Sequence, residues 1–319
     1  MRRYVIKRLA QAVGVLWAAY TVSFLVLDFL PGDPVSAMAG AGMDTGQVDP
    51  AQLAELRHEY GFDKPVLVQY AEYLGRAVRG DFGDAVSTGR PVTSILADAL
   101  PQTLQLTGAA LLLAVVLGGG LAVVATYTSR RWLRQLLLSL PPLGVSVPTF
   151  WVGLLLVETF SFKLHWFPAF GNDGLKGLVL PALTLAVPTG AQVAQVLAKS
   201  LLTARDQPYV ETARAKGAGR WRVHLRHTLR NASLPALTVV GLLVGQLIAG
   251  SVVVETVFSR DGLGRVTAGA VTTQDIPLVQ GVVVFGALIF VATNLLVDLV
   301  YPLLDPRIVV ASGRRASFA

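Results

Sequence analysis

Six long apolar runs, 9–30, 103–127, 135–157, 178–198, 233–254 and 276–297, alternate along the chain with polar loops. The last five contain no Asp, Glu, Lys or Arg, and the first contains only Asp28, near its end. A helix crossing hydrocarbon about 30 Å thick needs roughly 20 apolar residues at 1.5 Å each. Every run meets that length. The pattern predicts an all-α polytopic membrane protein with about six transmembrane helices.

The loops give an orientation. Residues 1–8 carry Arg2, Arg3, Lys7 and Arg8, and 128–134 carry Arg130, Arg131 and Arg134, with no acid in either. Loop 199–232 sets eight Lys/Arg against Asp206 and Glu211, and the tail sets Arg307, Arg314 and Arg315 against Asp305. On the other side, 31–99 holds ten Asp/Glu against five Lys/Arg. Segments 158–177 and 255–275 are near neutral. Short Lys/Arg-rich loops stay in the cytoplasm, so both termini and loop 199–232 are expected inside a cell (inner or plasma) membrane. The chain then divides into an N-terminal cytoplasmic end and first span (1–30), an extracytoplasmic segment (31–99), a core membrane domain (100–308) and a cytoplasmic tail (309–319).

Composition agrees. Of 319 residues only 15% are charged, against about 25% in soluble domains, and the mean hydropathy is +0.57. The net charge of +7 sits in short loops between apolar runs, which argues against a nucleic-acid partner. There are no cysteines, hence no disulfide, thiolate nucleophile or Cys-type metal site. His58, His165, His224 and His227 show no metal-ligand spacing, so no metal is expected. Residues 1–39, with Ala37-Met38-Ala39, imitate a signal peptide and its cleavage site. The 9–30 run exceeds the usual 7–15 residues of a signal core, and is read as a retained helix.

The 31–99 segment is too polar to span. A helix is expected after Asp49-Pro50, stopping at Gly61, and a second from Pro65 with Leu67, Tyr70, Ala71, Leu74 and Val78 on one face. Gly80, Gly83 and Gly89 then break regularity. The segment reads either as a cap packed on the membrane domain or as a docking surface for an external partner.

Loop 199–232 has its own pattern. Pro208 suits the first turn of a helix, Asp206 is placed to cap it, and Glu211 adds negative charge at the positive dipole end. Ala213 and Ala215 keep the helix slim, and Gly217 stops it, in a left-handed conformation. A second basic helix is expected near Trp221, with Arg222, Arg226 and Arg230 beside a Trp221, Leu225 and Leu229 stripe. Pro235 would open the fifth span. A topological, lipid-facing loop accounts for the charge; a slim helix closed by glycine fits better in a protein cleft.

Glu211, Thr212, Ala213 and Gly217 form E-T-A-x-x-x-G, which resembles the E-A-A-x-x-x-G loop of ATP-binding-cassette importer permeases, with Thr212 in place of the first alanine. The string YVETARAKG…RHTLRNASLP resembles the dipeptide/oligopeptide branch. So do FLPGDPV (29–35), YGFDKPVLVQYAEYLGRAVRGDFGDAVSTGRPV (60–92), LPQTLQLTGA (100–109), ETVFSRDGLGR (255–265) and NLLVDLVYPLLDPRI (294–308). His227 and Arg230 depart from the broader importer pattern. The resemblance implies a type I importer permease fold. It also implies a second homologous permease subunit, two cytoplasmic ATPase subunits or domains binding ATP and Mg, and an extracytoplasmic substrate-binding lipoprotein. Glu211, Thr212, Ala213 and Gly217, with Arg214 and Lys216 between them, would then be the ATPase contact. No Gly-Lys dipeptide occurs, so this chain has no phosphate loop of the G-x-x-x-x-G-K-[ST] type.

Polar residues at membrane depth are candidates for a translocation path or for interhelical hydrogen bonds: Gln192, Gln195, Gln246, Asn294 and Asp298. Glu158 and Glu255 sit at outer span ends. Pro141, Pro142 and Pro148, with Pro181 and Pro188, are expected to kink or break spans three and four, and Gly241-x-x-x-Gly245 permits close helix approach. Asp261, Gly262 and Gly264 form an outer turn which, by the resemblance, lies near the binding protein or gate. A secondary transporter would need internal repeats and a midplane site. An intramembrane enzyme would need paired catalytic groups. Neither pattern is present. The reading is a permease subunit, without enzymatic activity of its own, of an importer for peptides or similar small solutes.

Overall fold

The computed structural model describes residues 2–28, 58, 63–273 and 275–304, with backbone only at 2–5, 7–9, 27–28, 294 and 296–304. The chain forms two compact units, Met1–Thr103 with Asp261–Ala292, and Leu104–Arg260 with Thr293–Ala319. Among the described residues every regular element is helical; the one β feature is an isolated bridge between Asp84 and Pro91. Of the expected helix at 50–61 only His58 is described, and it is helical; the Ala37–Ala39 site lies outside the described residues.

In the first unit, α1 (Arg2–Asp28) carries the apolar stretch Ala10–Val26. It meets α2 (Val66–Val78) through Tyr70, whose hydroxyl lies 2.8 Å from Thr21 Oγ1 and whose ring lies 5.3 Å from Phe24. The inward face of α2 differs from the expected stripe. Tyr70 and Leu74 are half-buried, but Leu67 and Val78 are 83% and 80% exposed. The half-buried positions instead include Gln69, Tyr73 and Ala77, because tyrosines packing on α1 rotate the helix away from its aliphatic edge. Gly80, Gly83 and Gly89 all have positive φ, which only glycine adopts at little cost. The loop they shape is closed by buried Asp275: its Oδ2 accepts from Ser87 N–H (2.9 Å) and Oγ–H (2.8 Å). Asp275 Oδ1 accepts from Leu278 N–H at 3.2 Å, as an N-cap side chain does. Asp275 thereby starts α10 (Ile276–Leu304). The unit's core joins Val92, Leu96 and Ala99 to Leu263, Ala270 and Val279.

α3 (Val92–Tyr127) contributes its first residues to that unit and Leu104 onward to the second. The third apolar run is broken. α4 (Arg131–Ser146) and α5 (Thr149–Leu156), which continues as a π-helical turn over Val157–Lys163, meet at 104°. Pro148 makes the break: Val147 before it is extended, as a residue preceding proline prefers, and Pro148 is the N-cap of α5. Pro141 and Pro142 sit inside α4 without ending it.

α6 (Gly174–Arg205) is the centre of the second unit and packs on α4, α5 and α8 (Leu229–Val257). In its most apolar window 67% of residues are buried, against 28% and 33% for α3 and the helix ending α8; α6 is the core helix and the others present outer faces. Close packing follows from small residues. A Cβ added at Gly118 of α3 would lie 2.1 Å from Gly190 O of α6. Gly241 and Gly245 are also buried. Pro181 and Pro188 lie within one uninterrupted helix and do not break it. Pro181 has no N–H to give the Gly177 carbonyl, and buried Arg260 donates to that oxygen instead, Nη1 to O 3.0 Å.

Among the described residues, four helices are long and apolar enough to cross a membrane (Val92–Tyr127, Gly174–Arg205, Arg220–Val257 and Ile276–Thr293). The bent pair makes a fifth. The first run falls on α1.

Candidate functional site

The segment between α6 and α8 is organised around one short helix, α7 (Pro208–Ala215). Pro208 is its first residue, and the N-cap is Gln207 in extended conformation, with no side-chain bond. The cap expected from Asp206 is therefore absent. α6 runs on through Arg205, so the Asp206 backbone is used in ending α6. Glu211 lies in the first turn, near the positive end of the dipole. Thr212 Oγ1 donates to Pro208 O at 3.2 Å.

The far end of α7 closes as a Schellman motif. Ala218 N–H donates to Ala213 O (3.1 Å) and Gly217 N–H to Arg214 O (2.9 Å), with Gly217 at φ +80°. That pattern places glycine one residue beyond the cap and brings the next apolar residue back onto the helix. Ala218 does so, packing on buried Val210, Ala213 and Val223.

Ala213 is buried. It faces the chain's own small core, so its size serves internal packing. Glu211, Thr212, Arg214, Lys216 and Gly217 are exposed and form the outward surface. Val210 and Val223, which sequence reasoning passed over, are what α7 is built on. Two valines isolated in a polar stretch were the available signal.

The second basic helix starts at Arg220, beside Trp221 as expected, but it does not stop before Pro235. Arg220–Arg222 leads into a π-helical stretch, Val223–Thr228, which continues without interruption into α8 with Pro235 inside it. Wider π turns rotate the register. Val223, His224 and Thr228 point inward, while Trp221 is 55% exposed and Arg222, Arg226 and Arg230 are exposed. The loop is anchored on the end of α3. Arg220 Nη2 donates to Tyr127 O, and its guanidinium lies 4.6 Å over the Tyr127 ring. Trp221 meets the same ring edge-on at 5.1 Å, and His224 Nε2 lies 3.3 Å from Val123 O.

The structure does not bring the polar span residues together. Gln192 is half-buried, Gln195 and Gln246 are exposed, and among the described residues none of the three makes a hydrogen bond. The side chains of Asn294 and Asp298 lie outside the described residues. Glu158 is exposed and pairs with Lys163 at 2.8 Å, whereas Glu255 is fully buried. In the outer turn, Gly262 is the N-cap of α9 (Leu263–Thr272). Gly262 and Gly264 are buried, and Leu263 N–H donates to Thr103 Oγ1 at 2.8 Å. Exposed Asp261 bonds Arg265 Nη1 at 2.9 Å. Among the described residues no His, Asp or Glu cluster could hold a metal ion.

Residues 98–310 match the family described as binding-protein-dependent transport system inner membrane component, and residues 1–107 match its N-terminal region family. The chain is 37% identical over 316 residues to a putative peptide transport system permease protein of Brucella suis biovar 1, covering 97% of this chain and 99% of that one. It is 37% identical over 309 residues to the glutathione transport system permease protein of Escherichia coli K12, with the same coverage. Among solved structures, an inward-facing methionine ABC transporter aligns with a TM-score of 0.57 at 16% identity, covering 66% of this chain and 96% of that one. That likeness concerns the fold, and the fold is that of type I importer permeases. A helical bundle built on α6, with a short closed helix in its longest basic loop, thus belongs to the binding-protein-dependent transport system inner membrane component family: the chain is a multi-pass inner membrane permease subunit of an ATP-binding-cassette importer, whose ATPase is a separate subunit.

Proposed function

We propose that this permease moves peptides, or similarly small polar solutes, into the cytoplasm. It would work with a second homologous permease subunit, two ATPase subunits or domains that bind ATP and Mg, and an extracytoplasmic substrate-binding lipoprotein. The peptide assignment is supported by relatives named for peptide and glutathione transport; glutathione is itself a small peptide. The Lys/Arg-rich loops put both termini and α7 on the cytoplasmic side.

In this reading α7 is the coupling helix. The observation that carries it is the closed turn after Ala215, which holds Glu211, Thr212 and Lys216 outward on a preformed peg. Arg214 flanks the contact and Ala213 supports it from beneath. A rigid peg seated in an ATPase groove converts closure of the ATPase into a rigid-body shift of α6 and α8. Gln192, Gln195 and Gln246, unbonded within this chain, are the path candidates with Asn294. Asp261, Gly262 and Gly264 lie on the side that meets the lipoprotein.

A cysteine introduced at Thr212 tests the coupling contact without background, since the chain has none. Crosslinking to the co-purified ATPase subunit is expected, and protection of the thiol from reagents outside intact cells. Labelling of Thr212→Cys from outside, or normal solute uptake by Gly217→Val, would overturn this reading.

A further inference from the structure

A cavity of about 570 Å³ opens beside the anchor of the basic loop. Four arginines from four elements line it: Arg134 of α4, Arg205 ending α6, Arg214 of α7, and Arg220. His224 and the hydroxyls of Thr128 and Ser129 complete its polar wall, and no carboxylate lines it. Among the described residues no Asp or Glu pairs with Arg134, Arg205 or Arg214. Arg220 is held by Tyr127.

The first unit offers a contrast, since three of its arginines are paired with carboxylates. Arg76 bonds Asp81, Arg90 bonds Asp98, and Arg265 bonds Asp261. Four guanidinium groups facing one space without a carboxylate repel each other, and an anion there relieves that repulsion. The volume lies within the roughly 300–1,000 Å³ of ordinary ligand pockets. Arginine forks match phosphate oxygens bidentately, with hydroxyls completing the shell. Basic pockets between membrane helices on the cytoplasmic side take lipid head groups by this chemistry.

We propose that this cavity is a phosphate site, occupied by the phosphodiester head group of an anionic phospholipid or by a soluble phosphate ester. It is built from the end of α6, the start of α4 and the loop anchor. Arg214 is shared with the proposed ATPase contact, whereas Arg134 and Arg205 lie outside α7 and therefore carry the test.

The purified full-length chain in neutral detergent is titrated with phosphatidylglycerol, phosphatidylcholine and inorganic pyrophosphate, with bound species counted by native mass spectrometry. Saturable binding of phosphatidylglycerol but not phosphatidylcholine assigns the lipid source; saturable binding of pyrophosphate assigns the soluble one. Either supports the site, provided Arg134→Gln/Arg205→Gln weakens it at least tenfold. The equal-charge control Arg222→Gln/Arg226→Gln, on the exposed face, is expected to weaken it less than twofold. Should the first pair not fold by circular dichroism, Arg134→Lys/Arg205→Lys replaces it, with a three- to tenfold loss expected. Equal losses in pocket and control variants, or none in either, overturn the proposal. So does a pocket variant that keeps its anion affinity but no longer retains the ATPase, which would make the cluster a protein contact.

Discussion

Arg260 Nη1 donates to the carbonyl oxygen of Gly177 at 3.0 Å, the oxygen that Pro181, lacking an N–H, leaves without its helical partner. Both residues of the pair are buried, and a buried carbonyl without a donor is costly. Arg260→Met should lower stability by about 1.5–3 kcal/mol, the range for a hydrogen bond to a charged group. Pro181→Ala restores an N–H at that position and should recover part of the loss in the double variant. Thermal unfolding of the four proteins in detergent checks the coupling; strict additivity would mean the two residues act independently.

Gly118 and Gly190 set how closely α3 and α6 approach. The atoms facing an added Cβ at Gly118 are backbone, which cannot swing aside. Gly118→Ala should cost at least the roughly 1–3 kcal/mol of an overpacked core. Gly120, two residues on, would have nothing within 4 Å of an added Cβ. Gly120→Ala should be neutral or stabilising by up to about 1 kcal/mol through helix propensity. Melting temperatures of the two variants in one detergent give the comparison.

The turn after α7 yields a graded series. Gly217 has φ +80° and open space around its Cβ position, so only backbone strain opposes substitution. Asn tolerates that conformation, Ala costs about 1–2 kcal/mol there, and β-branched Val costs more. The solute-stimulated ATPase rate of the assembled transporter should fall in the order Gly217→Asn, Gly217→Ala, Gly217→Val. Helix content should stay unchanged, because the strain is local to one turn.

A pH effect is expected in the segment after α2. The Arg76 guanidinium, bonded to Asp81 Oδ2 at 2.9 Å, holds the Asp81 carboxyl below its usual range, helped by Gly83 N–H. A carboxyl with a lowered folded value stabilises above its unfolded pKa of about 3.9 and loses that contribution as pH falls through the folded value. The pair is exposed, which limits it to about 0.2–1 kcal/mol, less in high salt. Asp81→Asn should therefore raise amide exchange around 76–83 at pH 7. It should change little at pH 3 or in 1 M NaCl.

Periodicity and charge made the helices, their order and the glycine stop at Gly217 readable. Pro148 also announced its break, because an X-Pro step after an extended residue cannot stay helical. What stayed hidden depends on which faces meet. The inward turn of Ala213 follows from Val210 and Val223, which lie apart in sequence. Pro181 looked like a breaker because its substitute donor, Arg260, is distant along the chain. The sequence reading looked to Gly241 and Gly245 for close packing and passed over Gly118, because nothing local names Gly190 as its neighbour. The π register after Arg222 shifts every later side chain, and no composition signal marks it.

The clasp of Arg220 on Tyr127 gives the basic loop two outlets. If α7 takes up the movement of an ATPase, as proposed, its displacement would pass through the Gly217 turn to Arg220, then along the unbroken helix into α8 and through the guanidinium and the ring to the end of α3. A load arriving at that one point would leave as a torque on a pair of rods, twisting them rather than dragging one alone.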